Sequence, residues 1–408
     1  MPGRDTPCRH AAYHDAIAQN RARTVIKGNS MHTESSGAAT GAADPLLAQA
    51  CAWARQLRAA GEEVLLYPVS RLQRQFRLGY SRSFALVEAL ARRGEWAVGY
   101  GDDGTRYARL AAGGTGTPAA PYGDALSPPA DRDAIERASA LIAGADALVI
   151  AAGAGMGVDS GLPDFRGNAG FWKAYPALAA EGTAFMDIAS PAAFDAGPRR
   201  AWGFYGHRLG LYRRSLPHEG YRLLRQWGEA KRHGYFVFTS NVDGHFRKTG
   251  FDPLRIDECH GSIHRLQCLL PCSPVTWTAA GLQAVEDGAR CEWPGSLPAC
   301  PRCGAVARPN ILMFDDTGWI GARRELQAAR CRDWLGQVRR PVVIEIGAGL
   351  NIPTVRHFSR RVVMRHGGSL IRINPREPHT GGLPGVGIAA SALPTLAAIG
   401  ALLGQPDA

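Results

Sequence analysis

The sequence predicts an α/β fold: a doubly wound parallel sheet with a small metal module, preceded by a separate helical unit that ends in a hairpin. Three observations carry the sheet. Ala147-Leu148-Val149-Ile150, Tyr235-Phe236-Val237-Phe238 and Val342-Val343-Ile344-Glu345-Ile346 are near-continuous apolar runs of strand length, as strands buried on both faces require. Each ends in a polar or glycine-rich turn, and a fourth run, Leu370-Ile371-Arg372-Ile373, ends in Asn374. Ligands of open parallel sheets bind beyond the carboxyl ends of the strands, so these turns form the candidate site.

Composition narrows the class. A chain of 408 residues has room for two or three domains, and 45% hydrophobic with 20% charged residues is ordinary for a globular protein. A formal charge of +11 suits an acidic partner, nucleic acid first, and suits equally arginines spread across solvated faces, so charge alone does not decide. Nine cysteines is an odd number, and four fall in one short region with metal-ligand spacing. That pattern points to zinc in a reducing, cytoplasmic compartment rather than to disulfides. Residues 1–30 hold no apolar core of a secretory signal. Residues 386–404 are uncharged and about long enough to span a membrane. They are rich in Ala and Gly, contain Pro394 and lack flanking anchors, so a core helix on the sheet is expected and no membrane contact.

In chain order, residues 1–43 mix small and polar types without periodicity and are expected to be disordered, with Met31 an alternative start. Residues 44–110 predict a compact unit. Asp44-Pro45 opens a helix with Leu46, Leu47, Ala50, Trp53, Ala54 and Leu57 on its apolar face, and residues 64–67 suit a short strand. Ser70 is expected to cap a second helix, Arg71 to Phe76, and a third runs from about Ser81 to Arg92. Residues 96–110 alternate around Asp102-Asp103-Gly104, a hairpin signal. This order is that of a winged helix-turn-helix. Residues 111–130 form a Gly/Pro/Ala linker, and Asp131 to Ala145 an amphipathic helix feeding the first strand of a second domain, 131–408.

At that strand's end, Gly153-Ala154-Gly155 lets the backbone turn sharply and approach a pyrophosphate without a Cβ in the way. The strict G-x-G-x-x-G spacing fails, because Val158 holds the third position. Asp164-Phe165-Arg166 follow directly, an acid, an aromatic and an arginine that suit a second wall over the ligand. His260, in Cys259-His260-Gly261-Ser262, is a candidate general base. Cys268-x3-Cys272 and Cys300-x2-Cys303 supply four thiolates, enough for a closed structural zinc site within about residues 262–307. Cys291, between the pairs, is a competing ligand.

These motifs, in order and over about residues 130–404, resemble the sirtuins, NAD-dependent protein deacylases with a Rossmann-like domain and a zinc module. The resemblance rests on the Gly153-Ala154-Gly155 turn, Gly161-Leu162-Pro163-Asp164-Phe165-Arg166, Ser240-Asn241-Val242-Asp243, Cys259-His260-Gly261, the cysteine quartet, Arg308 to Phe314, Gly347-Ala348-Gly349 and Asn374. It implies NAD as cofactor, held by Gly153, Ala154, Gly155, Asp164, Phe165, Arg166, Ser240, Asn241, Asp243, Gly347, Ala348, Gly349 and Asn374. His260, Asn241 and Asp243 are the implied catalytic residues. Ile311, Met313, Phe314, Asn351 and Ile352 would clamp an acyl-lysine peptide as an added strand. Tyr205 and Arg208 match the Tyr-x-x-Arg pair that binds an acidic acyl group in the desuccinylating and demalonylating branch, an arginine and a phenol being suited to a carboxylate. The family's Gln before Asn is Ser240 here, its Phe-Gly-Glu is Phe314-Asp315-Asp316, and its Thr and Ser after Gly347 are Ala348 and Gly349.

Residues 70–93 resemble the C-terminal winged-helix domain of FtsK-type DNA translocases. That likeness implies double-stranded DNA as a partner, through Arg74, Arg77, Tyr80, Ser81, Arg82 and Glu88. The expected protein is thus an NAD-dependent lysine deacylase on a DNA-binding tether. A DNA-responsive NAD hydrolase or ADP-ribosyltransferase-like effector is the alternative.

Overall fold

A computed structural model describes residues 44–66, 68–78, 80–100, 106–110, 131–163, 171–172, 175–284 and 290–404. The segments expected as disorder (1–43) and linker (111–130) lie outside the described residues, as do the hairpin tip at 101–105 and Asp164, Phe165 and Arg166.

The N-terminal unit runs α1 (Pro45–Ala59), β1 (Val64–Leu66), α2 (Pro68–Phe76), α3 (Tyr80–Arg92), β2 (Ala97–Tyr100) and β3 (Arg106–Arg109). Its second helix starts before the expected Ser70 because Pro68, with its fixed φ and no N–H to lose, suits a first helical position. The three strands pair antiparallel in the order β1-β3-β2. Ala50, Ala54, Leu65, Leu72, Val87, Leu90 and Trp96 close a core beneath them, and the Trp96 indole N–H donates to Val87 O at 3.1 Å. Glu95 is buried there and paired with Arg55 and Arg58.

The second part begins with α4 (Arg132–Gly144), capped by the Asp131 carboxylate on Asp133 N, and β4 (Ala147–Ala152). Short helices α5 (Pro176–Ala180), α6 (Phe185–Ile188) and α7 (Pro191–Ala196) lead into α8 (Pro198–Arg214) and α9 (Glu219–Glu229). Then come β5 (Tyr235–Thr239), α10 (His245–Lys248), β6 (Ile256–Glu258), β7 (Gly261–Cys268), β8 (Trp277–Thr278) and β9 (Ala307–Ile311). The chain ends with α11 (Ala322–Leu335), β10 (Pro341–Ile346), α12 (Thr354–His366), β11 (Ser369–Ile373), β12 (Gly385–Ile388) and α13 (Ala392–Leu403).

Six strands pair in parallel in the order β12-β11-β10-β4-β5-β6. Alternate residues of β4 serve opposite faces, as a two-sided strand must. Leu148, Ile150 and Ala152 join α4, α9 and α13 in one core, while Ala147, Val149 and Ala151 join α11 and α12 in the other. Fully burying a side chain such as Ile150 contributes about 1.5–3 kcal/mol. From β4 the chain builds outward to β5 and β6, then returns to lay β10, β11 and β12 on the other side. The order reverses between β4 and β10, where the strand ends leave a crevice.

The apolar stretch 386–404, expected as one helix, is instead strand β12 followed by α13. A Cβ at Gly385 would stand 1.9 Å from Leu370 O, and one at Gly387 would stand 2.1 Å from Pro378 O. Those glycines let the edge strand approach its neighbours closely. Pro394 falls in the first turn of α13, where it is tolerated. Among the described residues no helix is long and apolar enough to cross a membrane.

Candidate active site and metal centre

The strand ends are sewn together at the crevice. Register places Ala152 beside both Thr239 and Ile346, and Ile346 beside Ile373. Beyond the last residues the turns continue the pattern: Gly153 N donates to Ile346 O (2.9 Å), Ser240 N to Ala152 O (3.1 Å) and Gly347 N to Ile373 O (3.0 Å). Gly155 N donates to Gly347 O at 3.1 Å, so the two glycine turns lock face to face. A Cβ at Gly153 would sit 2.7 Å from Ala348 Cα, and at Gly347 only 2.3 Å from Gly155 Cα. Gly347 has φ +62°, the left-handed region where glycine is at ease. Ala154 and Gly349 remain exposed, and a Cβ at Gly349 meets nothing within 4 Å, so the ground above the paired turns is open. Two approaching backbone turns under open space fit a dinucleotide pyrophosphate.

Side chains brace this floor. Asn241 Nδ2 donates to Gly153 O at 2.9 Å, and Thr239 Oγ1 donates to Ala152 O while accepting from Asn241 N. Asn374 Nδ2 donates to Ala348 O at 3.0 Å, joined there by Arg356 Nε. The Asn374 amide oxygen is occupied by Arg376 N and Glu377 N.

His260 reaches the same place. Cys259 N donates to Thr239 O, Leu312 N donates to His260 O, and the imidazole hydrogen-bonds the Ser240 backbone. Burial, with the Arg324 charge assisting, holds the ring down at about 4, while the Ser240 contact opposes the shift. The ring is therefore neutral at neutral pH and has a lone pair for a proton.

Asp243 turns inward. Its Oδ1 accepts from His245 N at 2.8 Å at the start of α10. Burial pushes this carboxyl up to about 6, against the His245 N–H, Arg208 and Lys248, which favour its charge.

The expected peptide-clamp residues divide. Ile311 and Met313 are buried in the helical core, whereas Leu312 between them, Asn351 and Ile352 are exposed. Phe314 N donates to Ala189 O, and its ring meets Phe185 edge-on. The Asp316 side chain is fully buried. It holds Arg308 through two bonds of 2.6 and 2.8 Å, and it accepts from Met313 N and Gly318 N. Asp315, where a glycine was expected from the resemblance, sits at φ +55°.

Tyr205 and Arg208 lie one turn apart on α8. Tyr205 is buried and stacks on Phe194. Arg208 is buried rather than solvated, donating to Tyr212 Oη at 2.6 and 3.0 Å. In the N-terminal unit Arg74, Arg77 and Arg82 are exposed and Glu88 is half-buried. Arg77 sits at φ +53° in the turn between α2 and α3. Tyr80 and Ser81 begin α3, and their side chains lie outside the described residues.

The sulfurs of Cys268, Cys272, Cys300 and Cys303 lie within 4.8 Å of one another, at the end of a small antiparallel sheet, β8-β7-β9. Four thiols at that separation fit one tetrahedral zinc with no open position. Cys291 stands apart, packed against the Gly203 backbone among Trp202 and Trp293. Purified protein is expected to carry about one zinc per chain. Cys303→Ser should release it and expose residues 268–306 to protease, read by metal analysis and limited proteolysis. Full metal content in that variant would overturn the assignment.

One support of the glycine turn, His218, was not expected from the sequence. His218 follows Pro217 just before a helix, a recognisable N-cap position, but its distant contact leaves no local trace.

The Sir2 family model matches residues 153–333. The chain is 32% identical over 243 residues to NAD-dependent protein deacylase 1 of Pseudomonas aeruginosa, covering 59% of this chain and 87% of that one. It is 30% identical over 240 residues to the NAD-dependent protein deacylase of Thermococcus kodakarensis, covering 58% and 83%. A solved Sir2 homologue in complex with ADP-ribose shares the fold at 22% identity and a TM-score of 0.50, covering 67% of this chain and 99% of that one. The crevice, its paired glycine turns and these matches together place the chain in the Sir2 family.

Proposed function

We propose that this chain is an NAD-dependent protein-lysine deacylase carried on a DNA-binding N-terminal unit. The observation that supports it most is the neutral His260 ring on the Ser240 backbone, beside the Gly153–Gly155 turn that Asn241 braces. NAD, when bound, would supply an electrophilic sugar carbon for the acyl oxygen and, in nicotinamide, its leaving group. The chain's residues do the rest. The open ground above the two glycine turns would receive the pyrophosphate, the Gly153, Gly155 and Gly347 amides being spent on locking the turns together. Asn241 and Asn374 fix the turns that meet the two riboses. His260 takes a proton from a ribose hydroxyl, and its depressed basicity keeps it free to do so. Asp243 positions the 241–245 turn through the His245 N–H. The exposed edges at Leu312 and at Asn351 and Ile352 receive the peptide as an added strand. Zinc on the four thiolates, with no open position for substrate, would serve to keep the small sheet folded.

Arg208 favours an acidic acyl group. A buried guanidinium bonded to a phenol beside Tyr205 is suited to a carboxylate on the acyl chain. The N-terminal unit supports DNA binding through exposed Arg74, Arg77 and Arg82.

One experiment tests the assembly. The full chain is incubated with NAD and acetyl-, malonyl- or succinyl-lysine peptides, with and without duplex DNA, and products are read by mass spectrometry. O-acyl-ADP-ribose, with acidic acyl chains favoured, is expected. NAD loss without peptide, stimulated by DNA, would replace the deacylase reading with a hydrolase. Duplex binding should weaken steeply between about 50 and 200 mM salt, and salt-insensitive binding would sink the arginine contacts.

A further inference from the structure

We infer that His218 is a positioning residue that holds the segment after the Gly153–Gly155 turn in place for the cofactor. The inference rests on the dinucleotide reading of that turn. Residues Ala154–Ser160 form a 3-10 helix, whose internal hydrogen bonds are poorer than an α-helix's and which rarely runs this long unaided. It is held from outside. At its far end Asp159 Oδ2 accepts from Leu393 N at 2.7 Å, tying it to the start of α13. His218 supplies two more ties. Its backbone N donates to Ser160 Oγ at 3.0 Å, and its Nε2 lies 2.9 Å from Met156 O.

The tautomer follows from the other nitrogen. His218 is the N-cap of α9, and Nδ1 accepts the Gly220 N–H at 3.0 Å. With Nδ1 accepting, Nε2 carries the proton and donates to Met156 O. A Cβ at Gly220 would strike the ring at 2.7 Å, so Gly220 leaves the space that the ring fills. Tyr221, with ring centroids 4.9 Å away, also packs against it. His218 is 8% exposed, so water competes little for the Met156 carbonyl. One imidazole thus couples the start of α9 to the floor of the cofactor crevice.

The two nitrogens can be separated. His218→Asn keeps an acceptor at the cap, where Asn ranks among the best residues, and loses the distal N–H. His218→Gln places an amide N–H near the former Nε2 and loses the cap. Each full-length variant is examined by NAD titration calorimetry, thermal unfolding, and hydrogen exchange of amides 154–160 without ligand. His218→Asn should unfold near the wild-type temperature, bind NAD about 5- to 10-fold more weakly, as expected for one lost hydrogen bond, and exchange faster across 154–160. His218→Gln should bind NAD within about two-fold of wild type but melt several degrees lower. Unchanged exchange in His218→Asn, or equal loss of NAD affinity in both variants, overturns the tether. If the wild-type chain binds no NAD, the dinucleotide reading fails, and the exchange comparison decides the tether by itself.

Discussion

His260→Ala is expected to slow acyl transfer by about 10²- to 10⁴-fold while leaving NAD affinity and the melting temperature close to wild type. The ring is neutral because burial outweighs its bond to the Ser240 backbone. A base must be unprotonated to act, so activity falls as pH drops through the governing group and is flat above it. For His260 that point lies near 4, well under the ordinary imidazole value, and Asp243, which braces the 241–245 turn, loses its charge at about 6. The acid limb of kcat/KM should therefore fall below pH 6.5. Stability follows the same sign. The unfolded state takes a proton on this histidine more readily, so stability rises with pH across the window between the folded and unfolded values. Turnover in His260→Ala within ten-fold of wild type, or an acid limb above pH 6.5, would remove His260 from the reaction.

How much of this was readable in the chain depends on how local each cause is. Apolar runs such as residues 147–150 and 342–346 mark strands covered on both faces, and the structure places them at the centre of the sheet. Glycines 153, 155 and 347 marked turns because only backbone could occupy them. The four cysteines announced a metal by spacing, and their sulfurs meet. What failed to show was cooperation across distance. Nothing near Gly347 in sequence tells that its missing Cβ makes room for Gly155, and nothing near His218 points to Met156. The 386–404 stretch misled because strand and helix were both apolar. Only the close approach at Gly385 and Gly387 divides them. The pairing of Arg208 with Tyr212, four residues on, which gives the guanidinium a buried partner, was not visible in the Tyr-x-x-Arg pattern.

Gly347→Ala carries the other large expected effect. Two terms act together. An alanine held at φ +62° costs about 1–2 kcal/mol relative to glycine. Its Cβ would also lie 2.3 Å from Gly155 Cα and 2.5 Å from Met156 N, backbone atoms that cannot swing aside. Relieving that clash means separating the paired turns, which breaks the Gly155 N to Gly347 O bond and displaces the floor on which the pyrophosphate would lie. Overpacking of this kind adds about 1–3 kcal/mol. The variant should melt well below wild type, and its NAD affinity should fall by at least about 100-fold, as for a displaced binding group. Gly349→Ala is the control. Its Cβ meets nothing within 4 Å, so its melting temperature should not move. A Gly347→Ala protein with wild-type stability and NAD affinity would mean that the two turns do not depend on each other. The crevice would then need another floor.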